Sequence, residues 1–501
     1  MARGERLERM TIKEDSVARG QDIKPLWEHE SLLEFLIVGA SLALLVLSCA
    51  DQALVGSISK VLWVASVGGL AAINLALAFA LYVFSVAIFS GLHFSSWGSL
   101  LERPDNFALA VLLLSFLFGR LRRRDLIEIG YLEILAILFI AYGLGQLGVS
   151  GTMDRANFAW FMRTYGLPFM MFFLLKGSAV SRDTLRRFMA IMIALGIYMA
   201  VVSVMEQMNL WDYIIPAWVA NPEMNVSKGV RSGGLVMQPE FNGLALNLVY
   251  CILLGSIHWY RKGHPLVQAV GGALILLAVF FTYTRAAWIG TLLASLVLLF
   301  GGQASPWKRA GVVLTGLAIL ALLFLFPSKV GSERAEDTNS IYFRFKVWTA
   351  GLNMATVNPI FGQGFGSFSK NVSRYQTEAV DYRDLPETGT LAHNTILNIL
   401  VEQGALGLIL YLFVLGGMVV KAKQGMAVRW PRGSLVWVST FASAYFFNVL
   451  FVNAHFPAPN LIFYGVLGML SGLKKIETGE MGGEGIDSDQ GKDAPKIARR
   501  L

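Results

Sequence analysis

The chain has 501 residues, 55% of them hydrophobic and 15% charged, with a mean hydropathy of +0.56. A soluble domain averages about 25% charged residues, so this composition excludes an ordinary globular protein and indicates a membrane-embedded one. The formal charge of +8 implies no nucleic-acid partner, because most of the excess sits in short loops between apolar runs, where Lys and Arg set orientation. The two cysteines, Cys49 and Cys251, both lie in apolar segments, so no disulfide framework is expected.

Residues 1–30 are polar and mixed in charge, with no signal-peptide core, so the first apolar run is expected to act as an uncleaved anchor. At about 20 apolar residues per span, helices are predicted near 31–50, 53–70, 72–91, 106–120, 126–147, 157–176 and 184–208. A second group follows near 240–258, 265–283, 287–301, 309–327, 394–420, 434–452 and 459–473. The stretch 53–91 has a second reading, one long tilted helix with a re-entrant piece. The predicted fold is therefore an all-α, polytopic membrane helix bundle of about 12–14 transmembrane helices with one large helical loop.

Short loops fix the orientation. Arg120, Arg122, Arg123 and Arg124 share one; Lys176, Arg182, Arg186 and Arg187 flank another; Arg261, Lys262, Lys308, Arg309, Lys421, Lys423, Arg429 and Arg432 mark three more. Placing all of these inside puts both termini in the cytoplasm. The expected organisation is a polar N-terminus to residue 30, spans over 31–208, an outer loop at 209–239, and central spans over 240–327. A large outer loop at 328–393, spans over 394–473 and a Gly/Glu/Asp-rich disordered tail at 474–501 complete it. In the large loop an amphipathic helix is predicted from Ile341 to Met354, with Phe343, Val347, Trp348 and Leu352 on one side. The following Asn358–Gly366 run is a weak phosphate-loop pattern, since no strand precedes it, and reads better as a turn closing that helix.

The chemistry concentrates where the large loop ends. His393 stands at the head of a long apolar helix in which Asn394, Asn398 and Glu402 recur every four residues and form one polar stripe. A carboxylate this deep must face a bundle interior or a wet cavity; a helix–helix hydrogen-bond ladder is the competing reading. Among the six histidines, His93, His393 and His455 fall outside, and they lack the carboxylate or cysteine spacing of a metal site. Asp381 and Asp384 are better explained as solvated loop charge than as ion ligands.

Two arginines stand out by position. Arg231 precedes Gly233, Gly234 and Pro239-Glu240, and Arg285 sits in Thr284-Arg285 between two apolar spans with almost no loop. Guanidinium is permanently charged and matches phosphate oxygens with parallel donors. Such a pair suits a lipid-linked diphosphate; headgroup snorkelling is the alternative, favoured slightly for Arg231. Arg344, on the loop helix, is a third candidate.

Arg231 with its glycines and Pro239, Thr284-Arg285, the loop helix with Pro359, and His393-Asn394…Glu402-x-Gly404-x-x-Gly407 together resemble the O-antigen ligase and Wzy-type polymerase superfamily over roughly residues 200–420. Thr284 stands where many relatives have Ser, and Glu240 where they have Asn after the proline.

The resemblance implies a metal-independent, lipid-dependent glycosyltransferase of the bacterial inner membrane that needs no cofactor. It would take a glycan from an undecaprenyl-diphosphate-linked donor on the periplasmic side and move it to a hydroxyl acceptor, lipid A–core or another glycan, among membrane lipids. Arg231 and Arg285, with Arg344, would bind the diphosphate, His393 would act as general base, and Asn394, Asn398 and Glu402 would support the site. A transporter or flippase of lipid-linked sugars is the rival of another class. It is expected to place charge near the membrane midplane instead.

Overall fold

The computed structural model describes residues 26–49, 53–89, 104–123, 129–178, 180–221, 225, 231–259, 265–300, 339–377, 384–427, 434–452 and 456–473. The architecture is all-helical. The helices are α1 (Leu26–Leu47), α2 (Ala53–Ile73), α3 (Leu75–Phe89), α4 (Pro104–Arg123), α5 (Tyr131–Val149), α6 (Arg155–Gly177) and α7 (Arg182–Gln207). They continue with α8 (Pro239–Trp259), α9 (Pro265–Phe281), α10 (Arg285–Phe300), α11 (Asn339–Val357), α12 (Ser367–Asn371), α13 (Thr395–Ala427), α14 (Ser434–Val449) and α15 (Pro457–Ser471). The expected 309–327 span lies outside the described residues.

The bundle is layered by what surrounds each helix. In α3 every residue from Ala76 to Phe89 is buried, and α15 is buried from Pro457 to Leu470. A helix apolar on all sides and enclosed by protein is the centre of a bundle. The peripheral α5 differs: Leu132, Ala136, Phe139, Gly143 and Leu147 form one buried stripe, while Ile134, Ile137 and Leu138 are exposed. Apolar side chains on the outside suit a lipid solvent. Close backbone approach holds the centre, since a Cβ on Gly468 of α15 would lie 2.7 Å from the carbonyl oxygen of Phe172 in α6.

Contacts along the helices settle the 53–91 stretch. Ser41 bonds Ser66 at 2.8 Å and Asn74 donates to Glu34 at 3.0 Å, so α1 and α2 are antiparallel. Phe79 stacks on Phe188 and Phe84 on Tyr198, so α3 runs parallel to α7. The chain thus reverses at Asn74 alone, whose side-chain oxygen accepts from the Leu77 amide and starts α3. Two spans meet here in a hairpin, not one tilted helix.

The two ends of the bundle are chemically distinct. At one end Arg187 pairs with Glu34, Lys176 with Glu133, Arg120 donates to the Gly177 carbonyl, and Lys421 lies over Tyr131. These described basic residues belong to the loops assigned inside. The arginines and histidine singled out above gather at the opposite end, where α7, α9 and α5 finish and α8, α10 and α13 begin.

Candidate active site at the head of the bundle

Arg231 lies in the connection between α7 and α8, and Glu206 in the last turn of α7 fixes that connection. The Glu206 carboxylate, 3% exposed, accepts from Ser232 Oγ at 2.6 Å, the Gly234 amide at 2.8 Å and Asn225 Nδ2 at 2.9 Å. With Ser232 and Gly234 pinned, the Arg231 guanidinium turns toward the α9–α10 junction. Its Nε donates to the Thr282 carbonyl at 3.0 Å, Nη2 to Thr284 Oγ1 at 2.7 Å, and Nη1 to Glu240 Oε1 at 2.9 Å. Three of its five N–H groups are used by the protein, leaving two. Arg231 is therefore not a snorkelling side chain but a strap from its own connection to the α9–α10 junction and the first turn of α8.

The junction it holds is three residues long, Thr282-Tyr283-Thr284, and Tyr283 takes φ 46° to reverse the chain. The Thr284 carbonyl accepts from the amides of Ala287 and Trp288, which starts α10 with Arg285 as its first residue. Glu240 follows Pro239 in the first turn of α8, a position favoured for a proline and an acid.

Opposite stands α11. Its inward stripe is Phe343, Val347, Ala350 and Met354, packed with Phe368, Leu385, Ala392, Leu397 and Val401 in a second small core. Leu352 is 55% exposed and not part of that stripe, because it lies about 180° around the helix from Phe343 and Val347. Trp348 Nε1 donates to the Ala392 carbonyl at 2.9 Å, so α11 is stapled to the residue before His393. Arg344 precedes Trp348 by one turn and shares its side of the helix. His393 takes φ 47°, and Asn394 caps α13 by accepting from the Leu397 amide at 3.0 Å. A left-handed, non-glycine residue directly before a helix cap is held there by its surroundings.

The electrostatics tie these groups together. Burial pushes the His393 pKa below its ordinary value; neighbouring Arg344 and Arg231 push the same way and Glu240 opposes them. Burial also lowers the Arg344 pKa, with Glu240 opposing and Arg231 and Arg285 adding to the lowering. Three guanidinium groups and one imidazole thus share a single field at this end, with one carboxylate among them. The imidazole is predominantly neutral at neutral pH, as a proton acceptor must be.

Asn398 and Glu402 do something else. α13 breaks at Gly404, whose φ of 67° and ψ of −173° are accessible essentially to glycine only. The Asn358–Gly366 segment enters the break: Gln363 N and Gly364 N donate to the carbonyls of Val401 and Glu402, and Ala405 N and Leu406 N donate to those of Pro359 and Ile360. The Tyr142 hydroxyl lies 2.9 Å from the carbonyl oxygens of both Phe361 and Gln403 and shares its proton between them. These bonds give the backbone groups freed at the break new partners, as apolar surroundings demand. The Glu402 carboxylate accepts from Gly366 N at 2.9 Å and Asn398 Nδ2 at 3.0 Å, and anchors the large loop to α13.

Asn398 and Glu402 thus tie the large loop to α13 rather than forming a ladder to another span. The glycine run is a re-entrant turn rather than a simple helix stop, and its Gly364 and Gly366 amides are engaged by Glu402. Asp384 pairs with Lys346 at 3.3 Å, while Asp381, His93 and His455 lie outside the described residues. Among the described residues no group of three His, Cys, Asp or Glu converges.

Glu206 and the Gly404 break do not stand out in the sequence. A lone acid closing a long apolar run is the available sign of the first. The partners of the second lie some forty residues earlier in the chain. Beside His393 a cleft is lined by Trp160, Thr164, Tyr165, Asn398, Glu402 and Thr395 among others.

Residues 270–412 match the protein family described as O-antigen ligase. The match runs from α9 through the first half of α13 and includes Arg285, Arg344, His393, Asn394, Asn398 and Glu402, but not Arg231. No curated protein matches the chain. Over residues 270–412 the chain is similar to the O-antigen ligase family, which supports a place in the O-antigen ligase/Wzy superfamily, and six of its described helices are long and apolar enough to cross a membrane.

Proposed function

We propose that this protein is a glycosyltransferase that moves a glycan from undecaprenyl diphosphate to a hydroxyl of lipid A–core on the periplasmic side of the inner membrane. The observation that carries the reading is the convergence of Arg231, Arg285 and Arg344 with a neutral, half-buried His393 at the end of the bundle away from the basic loops.

In the proposed step, His393 takes the proton of the acceptor hydroxyl, and the acceptor oxygen forms a bond to the anomeric carbon. The bond from that carbon to the diphosphate oxygen breaks, and undecaprenyl diphosphate leaves with the electron pair. The departing group gains negative charge, which Arg285, Arg344 and the two remaining N–H groups of Arg231 stabilise. This assigns to arginine the charge neutralisation that a divalent ion would otherwise supply. Glu206 and Glu240 act as positioning residues for Arg231, and Asn394 sets the backbone that presents His393.

Glycan analysis of a deletion strain complemented with wild type, His393→Ala or Arg285→Ala tests the reading. Ligase activity predicts that both variants keep lipid-linked long chains and lose glycan on lipid A–core. Accumulation of single repeat units would reassign the same site to a polymerase. Full complementation by both variants at normal expression would contradict the catalytic reading and favour transport.

A further inference from the structure

The cleft beside His393 differs in character from the arginine cluster. Its lining includes no Arg or Lys among the described residues, so it offers a diphosphate no counter-charge. It is not a lipid groove either: Thr164, Ser369, Asn398 and Thr395 bring polar atoms among Trp160, Tyr165, Phe365 and Phe368. Aromatic faces mixed with hydroxyl, amide and carboxylate groups match a sugar, which presents C–H faces and a rim of hydroxyls.

Two features indicate a cavity built for a ligand. Thr164 is 6% exposed, lines the cleft, and its hydroxyl has no hydrogen-bond partner among the described residues. A buried hydroxyl without a partner is costly unless a bound group supplies one. Thr164 and Tyr165 also lie in the π-helical turn Met162–Gly166 inside α6, a local widening that recurs at functional sites. The position is equally telling: Leu391 and Thr395 line the cleft two residues to either side of His393.

Resting on the glycosyltransferase reading, we infer that this cleft is the acceptor saccharide subsite. Thr164, Asn398 and Glu402 bond sugar hydroxyls there, and Trp160 packs against a ring face. Donor diphosphate and acceptor sugar then occupy separate places with His393 between them. Without a lining Arg or Lys among the described residues, the subsite gives the anionic donor no counter-charge.

The test uses the full chain in lipid nanodiscs and two probes released by mild acid, the lipopolysaccharide core oligosaccharide and the glycan repeat of the lipid-linked donor. Binding is measured by calorimetry and the KM for each substrate by transfer assay. Thr164→Val, which keeps the side-chain volume, is expected to weaken binding of the core oligosaccharide about five- to tenfold, and Trp160→Ala by about tenfold or more; weakening confined to the donor repeat would overturn the assignment to the acceptor. The KM for the lipid-linked donor should stay unchanged. Transfer by both variants with an unaltered acceptor KM would overturn the subsite and leave the transferase reading standing. Saccharide binding that both substitutions weaken, in a wild-type protein that transfers nothing, would keep a saccharide site and remove the transferase reading.

Discussion

Arg231 and Glu402 are both ionisable groups enclosed at the head of the bundle, yet the protein uses them differently. Arg231 spends three donors on Thr282, Thr284 and Glu240 and keeps two. Glu402 spends its carboxylate on Gly366 and Asn398 and anchors a loop. His393 carries the proposed proton transfer, and its environment makes a signed prediction. Its pKa is lowered by burial and by Arg344, so its protonated form is displaced to pH values below about 6.5. The acid limb of kcat/KM should therefore fall below that value, with activity rising as pH increases through it. Arg344→Gln removes a cation that disfavours the imidazolium, and should move the limb upward by about 0.5–1 unit. A pH–rate profile with no shift, or a downward one, would remove Arg344 from the neighbourhood of the base.

At the scale of elements, the break in α13 is the feature on which the large loop depends. Gly404 lies roughly 13 Å along α13 from its start, at about 1.5 Å per residue. Its backbone conformation and the contact its Cβ would make, 2.2 Å from the Ile360 carbonyl oxygen, both exclude a side chain. Gly404→Ala should cost about 2–3 kcal/mol or more and reduce the monodisperse, detergent-extracted protein several-fold, measured by fluorescence size-exclusion chromatography. An unchanged yield and melting temperature would show that the loop does not depend on this docking. The spans were legible in sequence because an uninterrupted apolar run long enough to cross a bilayer is rare outside one. The inward face of α11 was legible only in part. Leu352 looks like a core residue by hydropathy, but the stripe is completed by Ala350 and Met354, which contact geometry selects. The strap made by Arg231 was invisible as well, since two of its partners are oxygens of Thr282 and Thr284, some fifty residues away in the chain.

Across the whole molecule, the basic loops and the arginine-histidine cluster lie at opposite poles of the bundle, the arrangement that the loop charges imply. Sidedness can be measured directly, because the native Cys49 and Cys251 are both buried. Single cysteines at the exposed positions Glu387 and Gln424 should react with a membrane-impermeant maleimide from opposite sides, Glu387→Cys from the periplasm and Gln424→Cys only after permeabilisation. The reverse pattern would place the site in the cytoplasm. The candidate residues nearest in sequence, His393 and Asn394, are marked in the sequence by their place at a loop–helix boundary. Their assembly with Arg231, Arg285 and Arg344 required the fold, because those residues come from four separate stretches of the chain.

The most direct measurement is transfer by the purified full-length chain in proteoliposomes, supplied with undecaprenyl-diphosphate-linked glycan and lipid A–core. Wild type should release undecaprenyl diphosphate and glycosylated acceptor in equal amounts, and His393→Ala should be slower by about 10²–10⁴-fold with donor binding retained. Wild-type protein that moves the intact lipid-linked glycan across the bilayer without breaking the bond to diphosphate would contradict the account.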